Sequence, residues 1–269
     1  MRISLLRASQ SWPRIRSEHL GGFLESLVEL IFPPVCVLCG GKARPPGGNA
    51  PSSLLWRGHG ICGLCAGEIS WLSPPFCPLC ALPIRSGAVS SHVCGECMED
   101  PPPFGSARAL VVYDQEIFPI LRRMKYGPDA SLARFMGALL AMHLTGELAG
   151  RDLDGVVPIP LHVSRLRHRG FNQSAVMGRA VARSLGVPLE LGLLDRPRHT
   201  PPQVGLSRSQ RRGNVRGAFR VRERGLARGR NLLLVDDVYT TGATLREASR
   251  ELLRGGANQV HVLTFARVL

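Results

Sequence analysis

The stretch N-L-L-L-V-D-D-V-Y-T-T-G-A-T-L, residues 231 to 245, decides the fold of this chain. It opens with an apolar run rich in leucine and valine, which predicts a buried strand over residues 231 to 238. Two adjacent carboxylates end the run, and a loop of hydroxyl side chains and glycine follows. The periodicity from residue 244 to 254 predicts an amphipathic helix. A strand, a loop and a helix N-terminus therefore follow one another within about fifteen residues.

The loop has the chemistry of an anion site. Backbone N–H groups at a helix start lack intrahelical partners and carry about half a positive charge, so a phosphate binds there readily. Gly242 lets the backbone approach a ligand closely, and three hydroxyl side chains add donors, those of Thr240, Thr241 and Thr244. Asp236 and Asp237 would repel a phosphate but would accept hydrogen bonds from a diol. The combination predicts a sugar phosphate as the ligand.

The same stretch resembles the motif by which type I phosphoribosyltransferases bind 5-phosphoribosyl 1-pyrophosphate (PRPP). The resemblance implies that the acidic pair, Asp236 and Asp237, contacts the ribose 2- and 3-hydroxyls and forms the catalytic centre. It further implies a PRPP-binding segment made of Val238, Tyr239, Thr240, Thr241, Gly242, Ala243 and Thr244. Two other interpretations are a turn cap and the magnesium-binding strand of a nucleotide hydrolase. A cap does not need the threonines and the glycine together, and the sequence has no G-x-x-x-x-G-K-[ST] loop.

The composition fits a globular protein of one large domain or two smaller ones. The chain has 269 residues, 44% of them hydrophobic. No segment supplies the roughly 18 consecutive apolar residues of a transmembrane helix, and the N-terminus lacks the apolar core and cleavage site of a signal peptide. We therefore expect a cytoplasmic protein without a membrane span.

Positive charge is concentrated in the C-terminal half. The net charge is +14, yet residues 1 to 150 carry 13 basic and 11 acidic side chains, whereas residues 151 to 269 carry 21 arginines and 9 acidic side chains. This asymmetry indicates a polyanionic ligand or partner for the second half.

All eight cysteines fall in four C-x-x-C pairs, Cys36/Cys39, Cys62/Cys65, Cys77/Cys80 and Cys94/Cys97. Two such pairs complete a tetrahedral Zn²⁺ site, so four pairs predict two structural zinc ions. Disulfides or redox-active dithiols are the competing interpretation, which the absence of a secretory signal and of a surrounding βαβ pattern disfavours. The intervening segments are rich in Gly, Pro and Ser, so bound zinc, contributing about 10–16 kcal/mol, must supply the folding energy.

The sequence leaves the pairing of the four knuckles open. The gap of 13 residues between Cys80 and Cys94 is close to the usual ribbon spacing, which favours one site made by the last four cysteines. In the interleaved alternative the first pair joins the third and the second joins the fourth. His59 and His92 lie near the pairs but are not needed as ligands.

Changes in composition predict the domain boundaries. Residues 1–29 are expected to form a tail and the start of a short amphipathic helix that covers residues 21 to 32, and residues 30–100 a zinc-binding module. After three consecutive prolines, residues 104–269 are expected to form the main domain. In it, strands over residues 108–113, 155–159, 231–238 and 259–266 alternate with helices over residues 131–148, 173–185 and 244–254. This order predicts an α/β fold with a mostly parallel sheet and a ligand at the carboxyl ends of its strands.

Two arginine-rich segments fit the same site. Residues 157–173, V-P-I-P-L-H-V-S-R-L-R-H-R-G-F-N-Q, offer Arg165 and Arg169 to a pyrophosphate before Asn172 caps a helix. Residues 200–219 show little apolar periodicity and are interpreted as a mobile cationic loop that closes over a bound anion, with Arg208 and Arg212 among its PRPP-binding residues. A solvated basic surface is the alternative for each segment.

Taken in order, these segments resemble the ComF family (competence protein F or ComFC-like, amidophosphoribosyltransferase-like). The matching motifs are F-P-P-V-C-V-L-C-G, K-Y-G, P-I-P-L, R-G-F-N-Q, T-P-P-Q-V-G-L-S-R, R-R-G-N-V-R-G-A-F and L-L-V-D-D-V-Y-T-T-G-A-T. The family implies a zinc module on a type I phosphoribosyltransferase fold, with Arg165 and Arg169 near the pyrophosphate. It also implies a role in the uptake of transforming DNA, with single-stranded DNA and competence-machinery proteins as partners.

Two hypotheses of function stay open. The first is an enzyme of the pentosyl class of glycosyltransferases that uses PRPP with Mg²⁺, for an acceptor that the sequence does not identify. The second is a non-catalytic accessory protein that handles single-stranded DNA on the same fold. The basic half supports phosphate contacts, but aromatic residues such as Phe171, Phe219 and Tyr239 are scarce in it, so base stacking is not expected.

Overall fold

The structure is a computed structural model of the chain, and it describes residues 35–36, 39–41, 61–84, 90–127, 130–201, 205, 207–223 and 225–269. The amphipathic helix expected at residues 21 to 32 lies outside these ranges. The strands are β1 (Ser106–Val112), β2 (Gly155–Pro158), β3 (Leu194–Asp195), β4 (Arg220–Val221), β5 (Asn231–Tyr239) and β6 (Gln259–Arg267). The α-helices are α1 (Gly63–Glu68), α2 (Gly95–Glu99), α3 (Ile117–Tyr126), α4 (Ser131–Leu148), α5 (Val163–Arg169), α6 (Gln173–Leu185), α7 (Arg208–Val215) and α8 (Ala243–Arg254), and a 3-10 turn spans Ala149–Arg151.

Four of the strands form one parallel sheet in the order β1-β6-β5-β2. The interior strand β5 pairs with β6 on one side, where Val235 lies opposite Leu263, and with β2 on the other, where it lies opposite Pro158. Residues 232–235 are completely buried, because a parallel strand covered on both faces needs apolar residues at successive positions. The other two strands, β3 and β4, form a small antiparallel ladder. The predicted α/β fold with a parallel sheet is confirmed.

Helices and cysteine clusters cover both faces of the sheet. Leu233 and Val235 of β5 belong to the apolar core that contains α3, α4 and α6, together with Cys36 and Cys62. Leu232 and Leu234 belong to the core of the opposite face, which contains α8, the small ladder and three cysteines of the last two knuckles. Successive residues of a strand point to opposite faces, so the period-two alternation of β5 feeds both cores.

The long predicted elements match the structure closely. The helices over residues 131–148 and 173–185 have the predicted bounds, and the predicted strands end within two residues of the observed ones. Asn172 caps α6 as expected, because its Oδ1 accepts a hydrogen bond from the Ser174 amide at 3.0 Å.

Three helices near the site, α3, α5 and α7, were not predicted, and α5 spans the expected pyrophosphate loop that carries Arg165 and Arg169. Helix α3 contains Pro119 at its third position, where a proline removes no intrahelical hydrogen bond. The prediction of a mobile loop over residues 200–219 is wrong where helix α7 forms. A capping box starts it, in which the Ser207 hydroxyl accepts from the Gln210 amide and the Gln210 side chain accepts from the Ser207 amide.

Candidate functional site

The acidic pair and the threonine loop lie at the carboxyl end of β5, where the chain turns into α8. Asp236 and Asp237 belong to the strand, Thr240 to Gly242 form the turn, and the helix starts at Ala243. Strand β2 ends beside Val235, and the helices that follow it carry other polar groups to the same edge. Ligand sites of parallel α/β sheets form at this edge.

The two aspartates have different partners. Asp237 is buried, and its Oδ2 lies 3.1 Å from Lys125 Nζ and accepts a hydrogen bond of 3.3 Å from Gln173 Nε2. Asp236 Oδ1 accepts hydrogen bonds from the Ser174 hydroxyl and from the Asp237 amide, both at 2.9 Å. Helix α6 thus presents its first two side chains to the pair, and the end of α3 supplies one cation.

The pKa values of this cluster follow from burial and charge. Burial, followed by the charge of Asp237, raises the pKa of Asp236 from 3.8 to about 7. Burial alone would lower the pKa of Lys125, but the combined attraction of Asp237 and Asp236 more than offsets it, so the pKa of Lys125 is raised. At neutral pH the cluster therefore holds the ion pair of Lys125 and Asp237, and the carboxyl group of Asp236 is close to the midpoint of its titration.

The turn between β5 and α8 is shaped for a backbone-bound anion. Gly242 has a φ of 73°, and a Cβ there would lie 2.7 Å from Tyr239 Oη, so only glycine fits without displacing that ring. The Thr241 hydroxyl is buried without a hydrogen-bond partner among the described residues. An unpartnered donor beside a helix N-terminus matches the predicted phosphate cradle.

Three arginines, Arg165, Arg169 and Arg196, lie close together at the same edge of the sheet. Arg165 and the buried Arg196 both bind Thr200, through its carbonyl and its hydroxyl respectively, at 2.7 Å each. Arg169 donates to Gln173 Oε1 at 3.1 Å. Burial and then the neighbouring Arg165 lower the pKa of Arg196 to about 10. Its Nε has no partner among the described residues, so this side chain is an incompletely paired buried cation.

The other two arginines of the predicted set, Arg208 and Arg212, belong to α7. Arg212 of α7 points to the zinc module and lies 2.7 Å from Asp100 Oδ2. Arg208 is the first residue of α7. A contact of either with a sugar phosphate stays a prediction.

The eight cysteines form two tetrads, the first of Cys36, Cys39, Cys62 and Cys65 and the second of Cys77, Cys80, Cys94 and Cys97. The four sulfur atoms of each tetrad lie within 4.8 Å of one another, and all eight cysteines are free thiols. This geometry confirms the preferred site of the last four cysteines and excludes the interleaved pairing.

Each tetrad fits a structural zinc ion. Burial raises the pKa values of Cys65 and Cys97, and neighbouring cysteines raise them further, because four thiolates cannot share a small volume without a cation. Amides of the knuckles already point at sulfur, from Cys62 to Cys36 Sγ at 3.3 Å and from Cys94 to Cys77 Sγ at 3.4 Å. Tetrahedral sulfur coordination is the usual arrangement of structural zinc.

None of the helices in the described ranges is both long enough and apolar enough to cross a membrane.

Comparison with known protein families finds a matching domain in each half of the chain. Residues 27–98 match the double zinc ribbon domain and residues 172–268 the phosphoribosyl transferase domain. The molecule is therefore a type I phosphoribosyltransferase fold that carries a double zinc ribbon.

Relatives cover nearly the full length. DNA utilization protein YhgH of Escherichia coli K12 is 33% identical over 245 residues, which are 89% of this chain and 100% of the relative. Competence protein F of Haemophilus influenzae is 29% identical over 78% of this chain and 91% of its own, and competence protein ComFC of Bacillus subtilis is 26% identical over 93% and 99%. The chain belongs to the ComF family.

Sequence reasoning missed four polar residues of the site, Lys125, Gln173, Ser174 and Arg196. Two of them follow the predicted N-cap Asn172, so the helix start could have placed them at the sheet edge. Lys125 stood in the K-Y-G motif, but the helix that carries it was not predicted. No local pattern marks Arg196, whose burial depends on the small ladder and on Phe219, over which its guanidinium lies at 5.1 Å.

Proposed function

We propose that this protein binds PRPP at the acidic pair and the threonine loop, and that it serves DNA uptake as a phosphoribosyltransferase-type protein of the cytoplasm. One observation carries the proposal. An acidic pair with a half-buried Asp236 and a buried Asp237, an unpartnered threonine hydroxyl and an incompletely paired buried arginine occur at one edge of one parallel sheet. A sugar that bears both hydroxyls and phosphates matches this set of acceptors and donors.

Each group has a distinct part in the proposed complex. Asp236 and Asp237 accept hydrogen bonds from the ribose hydroxyls, and the amides of residues 241 to 244 with the Thr241 hydroxyl bind the 5-phosphate. Arg165 and Arg169, together with Arg196, face the diphosphate. Arg212 could join them only after leaving Asp100, and Arg208 starts the same helix.

Mg²⁺ prefers carboxylate and phosphate oxygens, which the acidic pair and the diphosphate would offer together. When bound it would neutralise part of the diphosphate charge. In the proposed transfer, the bond between C1 of the ribose and the diphosphate breaks and a bond from C1 to the acceptor forms. The arginines stabilise the charge on the departing diphosphate. The names of the relatives support an acceptor or partner within DNA uptake.

Calorimetric titration of the zinc-loaded protein with Mg·PRPP tests the site. Asp236→Asn/Asp237→Asn removes two charge-assisted hydrogen bonds of about 1.5 kcal/mol each, so we expect binding about 100-fold weaker. Asp152→Asn/Asp154→Asn is the matched control, because it makes the same charge change at the opposite end of β5, where Asp154 accepts from the Asn231 amide at 2.7 Å. Affinity that survives the first pair of substitutions would refute the site.

A second candidate function, the handling of single-stranded DNA, is favoured by the exposed face of α3. Phe118 and Tyr126 are 46% and 69% exposed and line a cavity of about 660 Å³ together with Arg122 and Arg123. Arg169 lies over the Tyr126 ring at 5.9 Å. Aromatic side chains among arginines suit stacked bases.

These aromatics lie outside the basic half in which stacking residues were sought. In the basic half, Phe219, Tyr239 and Phe265 are buried. Phe118→Ala/Tyr126→Ala should weaken oligonucleotide binding by about 1–3 kcal/mol per lost stack, with an unchanged salt slope because the arginines remain. Trp71→Ala, which removes an aromatic that is 41% exposed elsewhere, is the control. Equal oligonucleotide affinity for both variants would exclude this face.

A further inference from the structure

One buried arginine connects the second cysteine tetrad to the threonine loop. Arg267, the last residue of β6, is only 5% exposed. Its Nε donates to the Cys80 carbonyl at 2.9 Å, and its Nη1 donates to the carbonyls of Thr240 at 2.9 Å and Tyr239 at 3.3 Å. A single guanidinium therefore bonds a zinc knuckle and the proposed phosphate loop at once.

The same side chain also fixes the ring that shapes the loop. The Arg267 guanidinium lies 4.3 Å from the centroid of the Tyr239 ring. The hydroxyl of that ring occupies the space beside Gly242, where a Cβ would come within 2.7 Å. Phe104 packs edge-on against the other part of the ring, at 6.3 Å between centroids. Movement of Arg267 would therefore move the backbone on both sides of the turn.

A second set of contacts joins the tetrad to the start of α8. The buried Arg246 donates through Nη2 to the Asp100 carbonyl at 2.6 Å, and through Nη1 to the Pro101 carbonyl at 3.2 Å and to Asp100 Oδ1 at 3.3 Å. Asp100 directly follows α2, the helix that bears Cys97. Contacts with the segment of the second tetrad therefore hold both ends of the turn between β5 and α8.

The first tetrad has a different location. Its cysteines pack in the core on the other face of the sheet, and its segment contacts β1 through hydrogen bonds of Leu72 to Leu110 and of Val112 to Ser70. Arg267 and Arg246, by contrast, both bond the segment of the second tetrad. The two zinc sites are therefore unequal with respect to the proposed ligand.

We propose that the second tetrad and the threonine loop form one coupled unit held by Arg267, so that zinc at this tetrad sets the affinity of the loop for phosphate. Zinc at the first tetrad supports the fold without this effect. Arg267 is a positioning residue that touches no ligand. The inference rests on the proposed function for the identity of the ligand, but the mechanical link between zinc and loop is independent of it.

Reciprocity supplies the decisive measurement. If zinc tightens PRPP binding, PRPP must tighten zinc binding by the same factor. The full chain is titrated with a zinc-selective chelator, with and without saturating Mg·PRPP, and exposed thiols are alkylated in a brief pulse and assigned by peptide mass spectrometry. We expect PRPP to protect the second tetrad roughly tenfold or more and to leave the first unchanged.

Two variants separate positioning from general stability. Arg267→Met should abolish the PRPP-dependent protection and weaken PRPP binding roughly tenfold. Arg108→Met is the matched control, because Arg108 also contacts the second tetrad at its Cys77/Cys80 knuckle, through the Pro78 carbonyl at 3.4 Å and the Phe76 ring at 4.8 Å. Equal protection of both tetrads, or protection that persists in Arg267→Met, would overturn the inference.

Amide hydrogen exchange tests the coupling between the second tetrad and the threonine loop in the absence of any ligand. Arg267→Met with zinc bound should speed amide exchange in residues 239 to 244, whereas Arg108→Met should not. If wild-type protein fails to bind Mg·PRPP, the proposed function is wrong, and this exchange result alone decides the coupling. Unchanged exchange in Arg267→Met would then refute it.

Discussion

Two adjacent aspartates of one strand have opposite energetic roles. Asp237 forms an ion pair with Lys125 at 3.1 Å, whereas the pKa of Asp236 is raised to about 7, first by burial and then by its neighbour. Lys125 compensates the charge on Asp237, whereas two hydrogen bonds compensate the charge on Asp236 only in part. An ionised Asp236 therefore lowers the stability of the ligand-free protein.

Asp236→Asn should stabilise the ligand-free protein. Because the folded state holds the Asp236 proton up to about pH 7 and the unfolded state loses it near 3.8, the folded protein binds more protons over this window and stability falls as pH rises through it. The variant escapes this loss. Its gain in unfolding temperature should be absent below about pH 4, grow up to about pH 7 and stay constant above. Thermal unfolding measured across pH checks this, and a variant less stable than wild type at pH 8 would contradict it.

Lys125→Met should have the opposite effect. It leaves Asp237 buried without its cation, and removing one partner of a buried pair costs about 3 kcal/mol at the lower end of the usual range. The lower end applies because the Lys125 side chain keeps 27% exposure. Urea unfolding provides the measurement.

Arg254→Met is the comparison for this change. It breaks an exposed ion pair with Glu251 at 3.6 Å, for which we expect less than about 1 kcal/mol. A similar loss of stability in both variants would show that the Lys125 pair contributes no more than a surface contact.

At the scale of elements, α6 brings Gln173 and Ser174 to the acidic pair, and its position depends on its close packing against α4. A Cβ on Gly137 of α4 would lie 2.8 Å from Met177 Cα, so Gly137→Ala must push the two helices apart. We expect a destabilisation of about 1–3 kcal/mol. Gly146→Ala, on the same helix with nothing within 4 Å, should instead stabilise by about 0.5–1 kcal/mol. Chemical denaturation of both variants tests this, and effects of the same sign would argue against a tight helix contact.

The sequence predicted the elements whose signal is local. The run at residues 232 to 235 predicts β5 to within one residue, and the cap at Asn172 predicts the start of α6, because burial on both faces and side-chain capping depend on neighbouring residues. The sequence signal of helix α3 is ambiguous because Pro119 lies within it, although Ile117, Ile120 and Met124 follow helical spacing.

The polar surroundings of the acidic pair could not be predicted in the same way. The Lys125–Asp237 pair joins residues far apart in the chain, and its geometry depends on how α3 packs beside the sheet. The pairing of the zinc knuckles was likewise open, because spacing alone allowed two arrangements. Long-range contacts of this kind carry no periodic signal.

At the scale of the whole molecule, two zinc sites on opposite faces of one sheet should hold the N-terminal module to the rest of the chain. Elemental analysis of the purified protein should give two zinc ions per chain. Chelation under reducing conditions should lower the unfolding temperature, because metal binding supplies folding energy to such modules. A metal-free protein of unchanged stability, or disulfides found by mass spectrometry, would contradict structural zinc.

The central claim is that the acidic pair and the threonine loop bind PRPP, and a crystal structure of the zinc-loaded full chain with Mg·PRPP tests it most directly. The account predicts the 5-phosphate on the amides of residues 241 to 244 and the Thr241 hydroxyl, with the ribose hydroxyls on Asp236 and Asp237 and the diphosphate facing Arg165 and Arg196. PRPP bound at another place on the molecule, or an empty loop in crystals grown at saturating Mg·PRPP, would contradict it.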